Sequence, residues 1–202
     1  MAGVASVVLY HSVLGVRPGV EAAAELMRSH GHSVKVVDQY GGRVFDDYDE
    51  ARRFADSVGF PALMGAAAEA VGDVDHPIVV AGFSNGGGIA EYVAGTTPGG
   101  IAGALLLSGA IDPAMIGVVA WPATVPVQVH YTVDDPFRNQ AWVDALTALV
   151  TASAAHIEVF DYPGAGHLFT DATMVAEYQP DDAALLWDRA LEFLDRVAAP
   201  PS

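Results

Sequence analysis

Residues 81–88 read AGFSNGGG and follow directly on the apolar run HPIVV at 76–80. A single serine, Ser84, stands at the end of a run of strand length. Glycines fence it on both sides, and the segment GGIAEYVAG that follows has the composition of a helix. GFSNG fits the G-x-S-x-G pattern, in which a sharp strand-to-helix turn lifts a serine hydroxyl above the edge of a sheet. Glycines suit such a turn because it strains the serine backbone and brings strand and helix too close for side chains. The pattern alone is weak, since chance supplies it in about one chain in ten of this composition, so its context has to carry the reading. A glycine-rich phosphate cradle is the rival, but no Lys or Arg lies near the loop and the GKS or GKT ending of a P-loop is missing.

The context is strand and helix in alternation. Apolar runs recur at 5–10, 33–37, 77–81, 101–107, 125–131 and 156–160. They are continuously apolar rather than alternating, which predicts strands covered on both faces in a mostly parallel sheet. Helical patterns fall between them at 18–29, 61–71, 139–152 and 182–197, the first ending at Gly31 and the second at Gly72. In the last, Leu185, Leu186, Leu191 and Leu194 are expected to form the apolar stripe. The fold class is therefore α/β, a doubly wound sandwich with helices on both faces of the sheet. In such sheets ligands bind at the carboxyl ends of the strands, so the loops after Tyr10, Val37, Ala81, Leu107, Tyr131 and Phe160 are the ones to inspect.

Composition narrows the function classes. At 202 residues, 52% hydrophobic and 17% charged, the chain is expected to be one domain, 1–202, with a large core. Its net charge of -16 repels phosphate backbones and anionic membranes, so neither nucleic acid nor membrane is expected as a partner. With no cysteine, thiolate chemistry and disulfides are excluded. The N-terminus MAGVASVVLYHS lacks a secretory pattern and reads as a first strand, leaving the cytoplasm as the expected compartment. The uncharged stretches 92–111 and 113–133 are long enough to cross a bilayer, yet Gly, Pro and Thr break them as strands and loops do.

A serine hydroxyl needs a base, and the base needs an orienting group. Downstream, VPVQVHY runs into TVDDPF, giving Asp134 and Asp135 in a strand-end loop, and IEVFDYPGAGHLF gives His167 after the last strand. Asp112 and Asp161 are rival acids, each beside a strand end. Among the other histidines, His30, His32 and His76 are expected at the solvated surface, and His130 and His156 as structural strand residues. Phe83, Trp121, Phe137 and Leu168 adjoin the loops, as pocket lining or as core.

With these residues in place the chain resembles the dienelactone hydrolase family of α/β-hydrolases over nearly its whole length. The matching segments are VVLYHSVLGV, VVDQYGG, AGFSNGGGIA, VQVHYTVDDPF and YPGAGHLF, in that order. The resemblance implies the minimal α/β-hydrolase fold without a lid domain, with Ser84 as nucleophile, Asp135 rather than Asp134 as acid and His167 as base. It also implies an oxyanion hole from the backbone N–H groups of Val13 and Asn85, and no metal or organic cofactor. Three features depart from the family. Ser84 stands at the family's cysteine nucleophile, Ser12 at the glutamate that helps control it, and Asp171 at an arginine that holds a substrate carboxylate. No second such arginine is evident near 59–65. The expectation is thus a serine hydrolase for esters or lactones of small, neutral acids, monomeric or a small homo-oligomer. Acyl transfer by the same triad, or a non-catalytic binding module on the same scaffold, are the alternatives.

Overall fold

The computed structural model describes residues 3–72, 74–75, 77–97 and 99–199; His76 and the first two residues of the expected N-terminal strand lie outside them. Six strands form one parallel sheet: β1 (Ser6–Tyr10), β2 (Ser33–Val37), β3 (Ile78–Phe83), β4 (Ile101–Leu107), β5 (Val127–Thr132) and β6 (Ile157–Tyr162). Their spatial order is β2-β1-β3-β4-β5-β6, every pair parallel. The helices are α1 (Pro18–Ser29), α2 (Tyr48–Val58), α3 (Phe60–Ala70), α4 (Asn85–Thr96), α5 (Gln140–Ala152) and α6 (Pro180–Ala198). Among the described residues, no helix is long and apolar enough to cross a membrane.

The sheet divides the core in two because successive strand residues face opposite sides. Val8, Tyr10, Val80, Leu106 and Val129 pack against α3, α4 and α5. Val7, Leu9, Val79, Leu105 and Leu107 pack against α1 and α6. The central strands β1, β3, β4 and β5 are almost wholly buried, which explains their unbroken apolar runs. The edge strands differ from the expectation of cover on both faces: β2 and β6 are largely half-buried or exposed, since each has a neighbour on one side only.

α2 carries an apolar stripe, Tyr48, Ala51, Phe54 and Ala55, that packs against the core, but the charged residues around it hid the helix in the sequence. Its caps are legible in retrospect. The Asp47 carboxylate accepts from the Glu50 N–H at 2.8 Å, and Asp49 and Glu50 occupy the first turn, where the helix dipole favours them. Gly59, at φ +88°, then turns the chain into α3. In α6 the buried residues are Ala183, Leu186, Ala190, Leu191, Phe193, Leu194 and Ala198, while Leu185 is exposed, so the expected stripe is corrected by one member. Leu185 lies about 180° around the helix from Leu194, on the side away from the core.

The chain runs from β1 outward to β2 and then back across to β3, so the topology reverses between β1 and β3. A crevice opens at such a switch point, at the carboxyl ends of the two strands. Tyr10 pairs with Gly82 there, which brings the loop after β1 beside the turn after β3.

One buried carboxyl is built into this core. Glu91, on α4, is fully buried; its Oε2 accepts from the Ile111 N–H at 3.0 Å and its Oε1 has no hydrogen-bond partner among the described residues. Burial pushes its pKa up to about 8, the Ile111 N–H opposing and Asp112 adding to the rise. The folded state therefore keeps a proton that the unfolded chain gives up near the ordinary carboxylate value of 4.5. Stability is expected to fall as pH rises from about 4.5 towards about 8, by at most about 1.4 kcal/mol per pH unit, and to level off above that. The Glu91→Gln protein should lack this slope, so that urea denaturation at about pH 5 and about pH 8 shows the variant gaining on the wild type as pH rises.

Candidate active site

Ser84 follows β3 directly and caps α4 with φ 51° and ψ -117°, a conformation few non-glycine residues adopt and worth about 1–3 kcal/mol of strain. Its neighbours enforce that turn. A Cβ on Gly82 would overlap the carbonyl oxygen of Gly86, and one on Gly86 would overlap the carbonyl of His11. The Ser84 N–H donates to Leu107 O at 2.8 Å, and Ser84 O accepts from the Gly87 N–H at 2.8 Å as α4 begins.

His167, 3% exposed, lies in the loop after β6. Its Nδ1 is 2.8 Å from Oδ2 and 3.0 Å from Oδ1 of Asp135, and its Nε2 is 2.7 Å from Ser84 Oγ. An ionised carboxylate only accepts, so Nδ1 carries the proton and Nε2 is left to accept from the serine hydroxyl. The Asp135 carboxylate also accepts from the Phe137 N–H at 2.8 Å, which fixes its plane within the tight turn after β5.

The backbone around His167 is held at three polar groups. Gly166 N–H donates to Gln179 Oε1 at 3.0 Å, Gly166 O accepts from Thr132 Oγ1 at 3.0 Å, and Leu168 N–H donates to Glu177 Oε2 at 2.6 Å. Glu177 in turn accepts from Tyr48 OH at 3.0 Å, and the partial burial of the phenol, with this carboxylate beside it, holds it well above its ordinary value. Phe137 meets the His167 ring edge-on with centroids 4.6 Å apart, and Tyr48 does so at 6.1 Å. Nothing in the sequence pattern singled out Glu177, Gln179 or Tyr48, because each acts through a fold contact rather than a motif.

The rival acids are occupied elsewhere. Asp112 caps the short helix that follows β4 by accepting from the Ala114 N–H, and Asp161 accepts from Arg138 at 2.7 Å. Asp134 is exposed. Of the other histidines, His30 and His156 are exposed and His130 is buried with both ring nitrogens within 2.8 Å of partners, Tyr162 OH and Gln128 Oε1. His156 therefore departs from the expected structural role. His32 corrects the expectation of a solvated surface. It is 5% exposed and its Nδ1 accepts from the Ala5 N–H, because the α1–β2 turn tucks it under the start of β1.

A cleft of about 510 Å³ opens over Ser84 and His167, walled by Val13, Tyr48, Phe60, Ile111, Tyr131, Phe137 and Trp142 among others. Of the four apolar residues named from sequence, Phe137 lines it. Trp121 belongs to the core, its Nε1 donating to Val125 O, and Phe83 and Leu168 lie behind the site beside Ser12, Arg17 and Asp171. Asp171 faces away from the cleft, 3.4 Å from Arg17 Nε and accepting from Thr173 Oγ1 at 2.6 Å. An arginine does reach the wall from α2: Arg52, with its guanidinium 4.9 Å from the Phe137 ring centroid. Asp56, one turn later, also lines the cleft, so the wall carries one charge of each sign. Val13 and Asn85 both border the cleft, and their N–H groups meet no acceptor among the described residues. Among those residues there is also no cluster of three or more His, Asp and Glu side chains able to hold a metal ion.

The comparisons agree with this architecture. A dienelactone hydrolase-like promiscuous phosphotriesterase from metagenomic libraries superposes with a TM-score of 0.81 at 19% identity, over 98% of this chain and 88% of that one. Dienelactone hydrolase from Anabaena variabilis gives 0.64 at 16% identity, over 95% and 85%. The Bacillus cereus carboxylesterase gives 0.62 at 18% identity, over 98% and 92%. At these identities the likeness is one of fold, and no curated protein matches the sequence. The model of the dienelactone hydrolase family, in contrast, matches residues 2–198. A match over nearly the whole length, on a parallel sheet whose crevice opens beside Ser84, makes the chain a member of the dienelactone hydrolase family and a hydrolase of small molecules.

Proposed function

We propose that the protein is a serine hydrolase that cleaves carboxylic esters or lactones of small, neutral substrates through an acyl-enzyme. The observation that carries this reading is the continuous hydrogen-bonded line from the Asp135 carboxylate through His167 to Ser84 Oγ. Ser84 Oγ attacks the acyl carbonyl while His167 Nε2 takes its proton, and Asp135 holds the imidazole and stabilises its charged form. The carbonyl oxygen, now negative, accepts from the N–H groups of Val13 and Asn85. As the tetrahedral intermediate collapses, the C–O bond to the leaving alcohol breaks and His167 returns the proton to that alcohol. Water then attacks the acyl-enzyme by the same route, releasing the acid and restoring the Ser84 hydroxyl.

The preference for neutral substrates rests on the cleft wall. Its opposed Arg52 and Asp56 side chains give no net anchor for a carboxylate, and Asp171 is turned away. A net charge of -16 adds a general repulsion of anions and is the ground for expecting neither nucleic acid nor membrane as a partner. We take 1–202 as one domain acting in the cytoplasm, alone or as a small homo-oligomer.

Ser84→Ala should abolish hydrolysis of p-nitrophenyl acetate and labelling by a fluorophosphonate probe while circular dichroism stays that of the wild type; an active variant sinks the reading. Asp135→Asn should lose activity on the order of 10^4-fold, because the wrong imidazole tautomer is then favoured. Asp134→Asn, at an exposed position, should remain within about threefold of wild type in the same assay. Equal losses in the two variants would remove Asp135 from its role. Product analysis with added alcohol or peroxide separates hydrolysis from acyl transfer.

A further inference from the structure

His11 takes no part in the line from Asp135 to Ser84, yet it is 1% exposed and both of its ring nitrogens are committed. Nδ1 is 2.6 Å from the carbonyl oxygen of Ser12, and Nε2 is 3.1 Å from the backbone nitrogen of Gln39. A carbonyl oxygen only accepts and a backbone N–H only donates, so the partners fix the tautomer: Nδ1 bears the proton and Nε2 its lone pair. The ring is neutral in this arrangement, and its burial favours the neutral form by lowering the imidazole pKa, against the Ser12 carbonyl and Asp38, which raise it. Tyr40, in the loop after β2, meets the ring edge-on at 4.6 Å. The Asp38 carboxylate holds that loop by accepting from the Tyr40 and Gly42 N–H groups.

The acceptor is what gives this arrangement a consequence. Ser12 C=O and Val13 N–H belong to one planar trans peptide, so they point in opposite directions, and fixing one fixes the other. Ser12 O accepts from two donors, the His11 Nδ1–H and the Gly15 N–H at 3.1 Å. Both pull the carbonyl towards the protein, and the N–H of Val13 is thereby directed to the opposite side, where Val13 borders the cleft beside Ser84 and Asn85. The same segment touches the turn after β3, since the His11 carbonyl, with that of Tyr10, excludes a side chain from Gly86.

We propose that His11 is a positioning residue for the reaction: its Nδ1–H, locked in place by the Gln39 N–H on Nε2, holds the Ser12–Val13 peptide so that the Val13 N–H meets the developing oxyanion. This rests on the assignment of Ser84 and of the Val13 N–H made under Proposed function. A donor that must be aimed before the reaction begins contributes only if its peptide does not rotate. The histidine supplies that rigidity from behind the peptide without touching substrate.

The test is a pair of variants in the full chain that split the two functions of the ring. His11→Asn keeps an N–H near the Nδ1 position and so a donor to Ser12 O. His11→Gln reaches the Nε2 position, keeps an acceptor for the Gln39 N–H, and supplies no donor to Ser12. Turnover of p-nitrophenyl acetate by His11→Gln should fall in kcat on the order of 10- to 100-fold, less than the 10²- to 10³-fold cost of removing an oxyanion donor outright because Gly15 still holds the carbonyl. KM should stay within about twofold, and His11→Asn should recover most of the kcat. Affinity for a trifluoromethyl ketone, which binds as a hemiketal oxyanion, should weaken in step with kcat/KM. Wild-type kcat in His11→Gln, an equal loss in both variants, or a loss confined to KM or to melting temperature overturns the proposal. If His11→Gln does not fold, His11→Leu serves as the donor-free variant under the same criteria. Ser84→Ala in the same assay keeps the two readings apart. If it is inactive while His11→Gln has full kcat, only the role of His11 falls; if it is active, the underlying assignment falls and the role of His11 with it.

Discussion

The site depends on backbone packed against backbone where β1, β3 and α4 meet. Glycine at 82 and 86 lets the start of α4 lie directly on the end of β1, and that contact forces Ser84 into its positive-φ turn. The strain, about 1–3 kcal/mol, persists because three elements of the sheet and its covering helix over-determine the position. Even one methyl group at Gly86 would push against the Tyr10 and His11 carbonyls and so disturb the serine and the loop after β1 together. One steric constraint thus couples the group proposed to attack with one of the groups proposed to receive the resulting charge.

Around this rigid turn the remaining groups come from loops, and loops are held by hydrogen bonds instead of by packing. The segment 166–168 has backbone groups tied to Gln179, Thr132 and Glu177, while Asp135 is held by the Phe137 N–H and the Ser12 carbonyl by His11 and Gly15. None of these partners needs to touch substrate. Their effect is to remove rotational freedom before the reaction starts, which is where most of the advantage of an organised site lies. The price is a set of buried polar groups that must all be satisfied, and Glu91, with one oxygen unpartnered, shows what an incomplete case does to a carboxyl.

The sequence was most informative where structure is local and periodic. All six strands and five of the six helices were legible within a few residues, since buried parallel strands are rich in apolar residues and helices carry caps and stripes. α2 was not legible, because five charged residues among its eleven masked the short apolar stripe through Ala51, Phe54 and Ala55. The exposure of β2 and β6 was misjudged. Lys35 in β2 and Glu158 and Asp161 in β6 interrupt their apolar runs, and such polar residues mark strands open to solvent on one face or edge.

By itself the sequence determined the alternation of strands and helices, the glycine-fenced serine at a strand end, and the order serine, aspartate, histidine along the chain. Those features are written in contiguous residues, and local sterics and burial act on contiguous residues. The tertiary structure alone decided which of two adjacent aspartates faces His167, that Arg52 and Asp56 share a wall of the cleft, and that His11 reaches across to Gln39 while grasping Ser12. Asp135 and His167 are 32 positions apart, and Ser84 and His167 are 83 apart. At such separations no periodicity or propensity links two residues, and whether their side chains meet is set by the strand order and the crossover at β1 and β3.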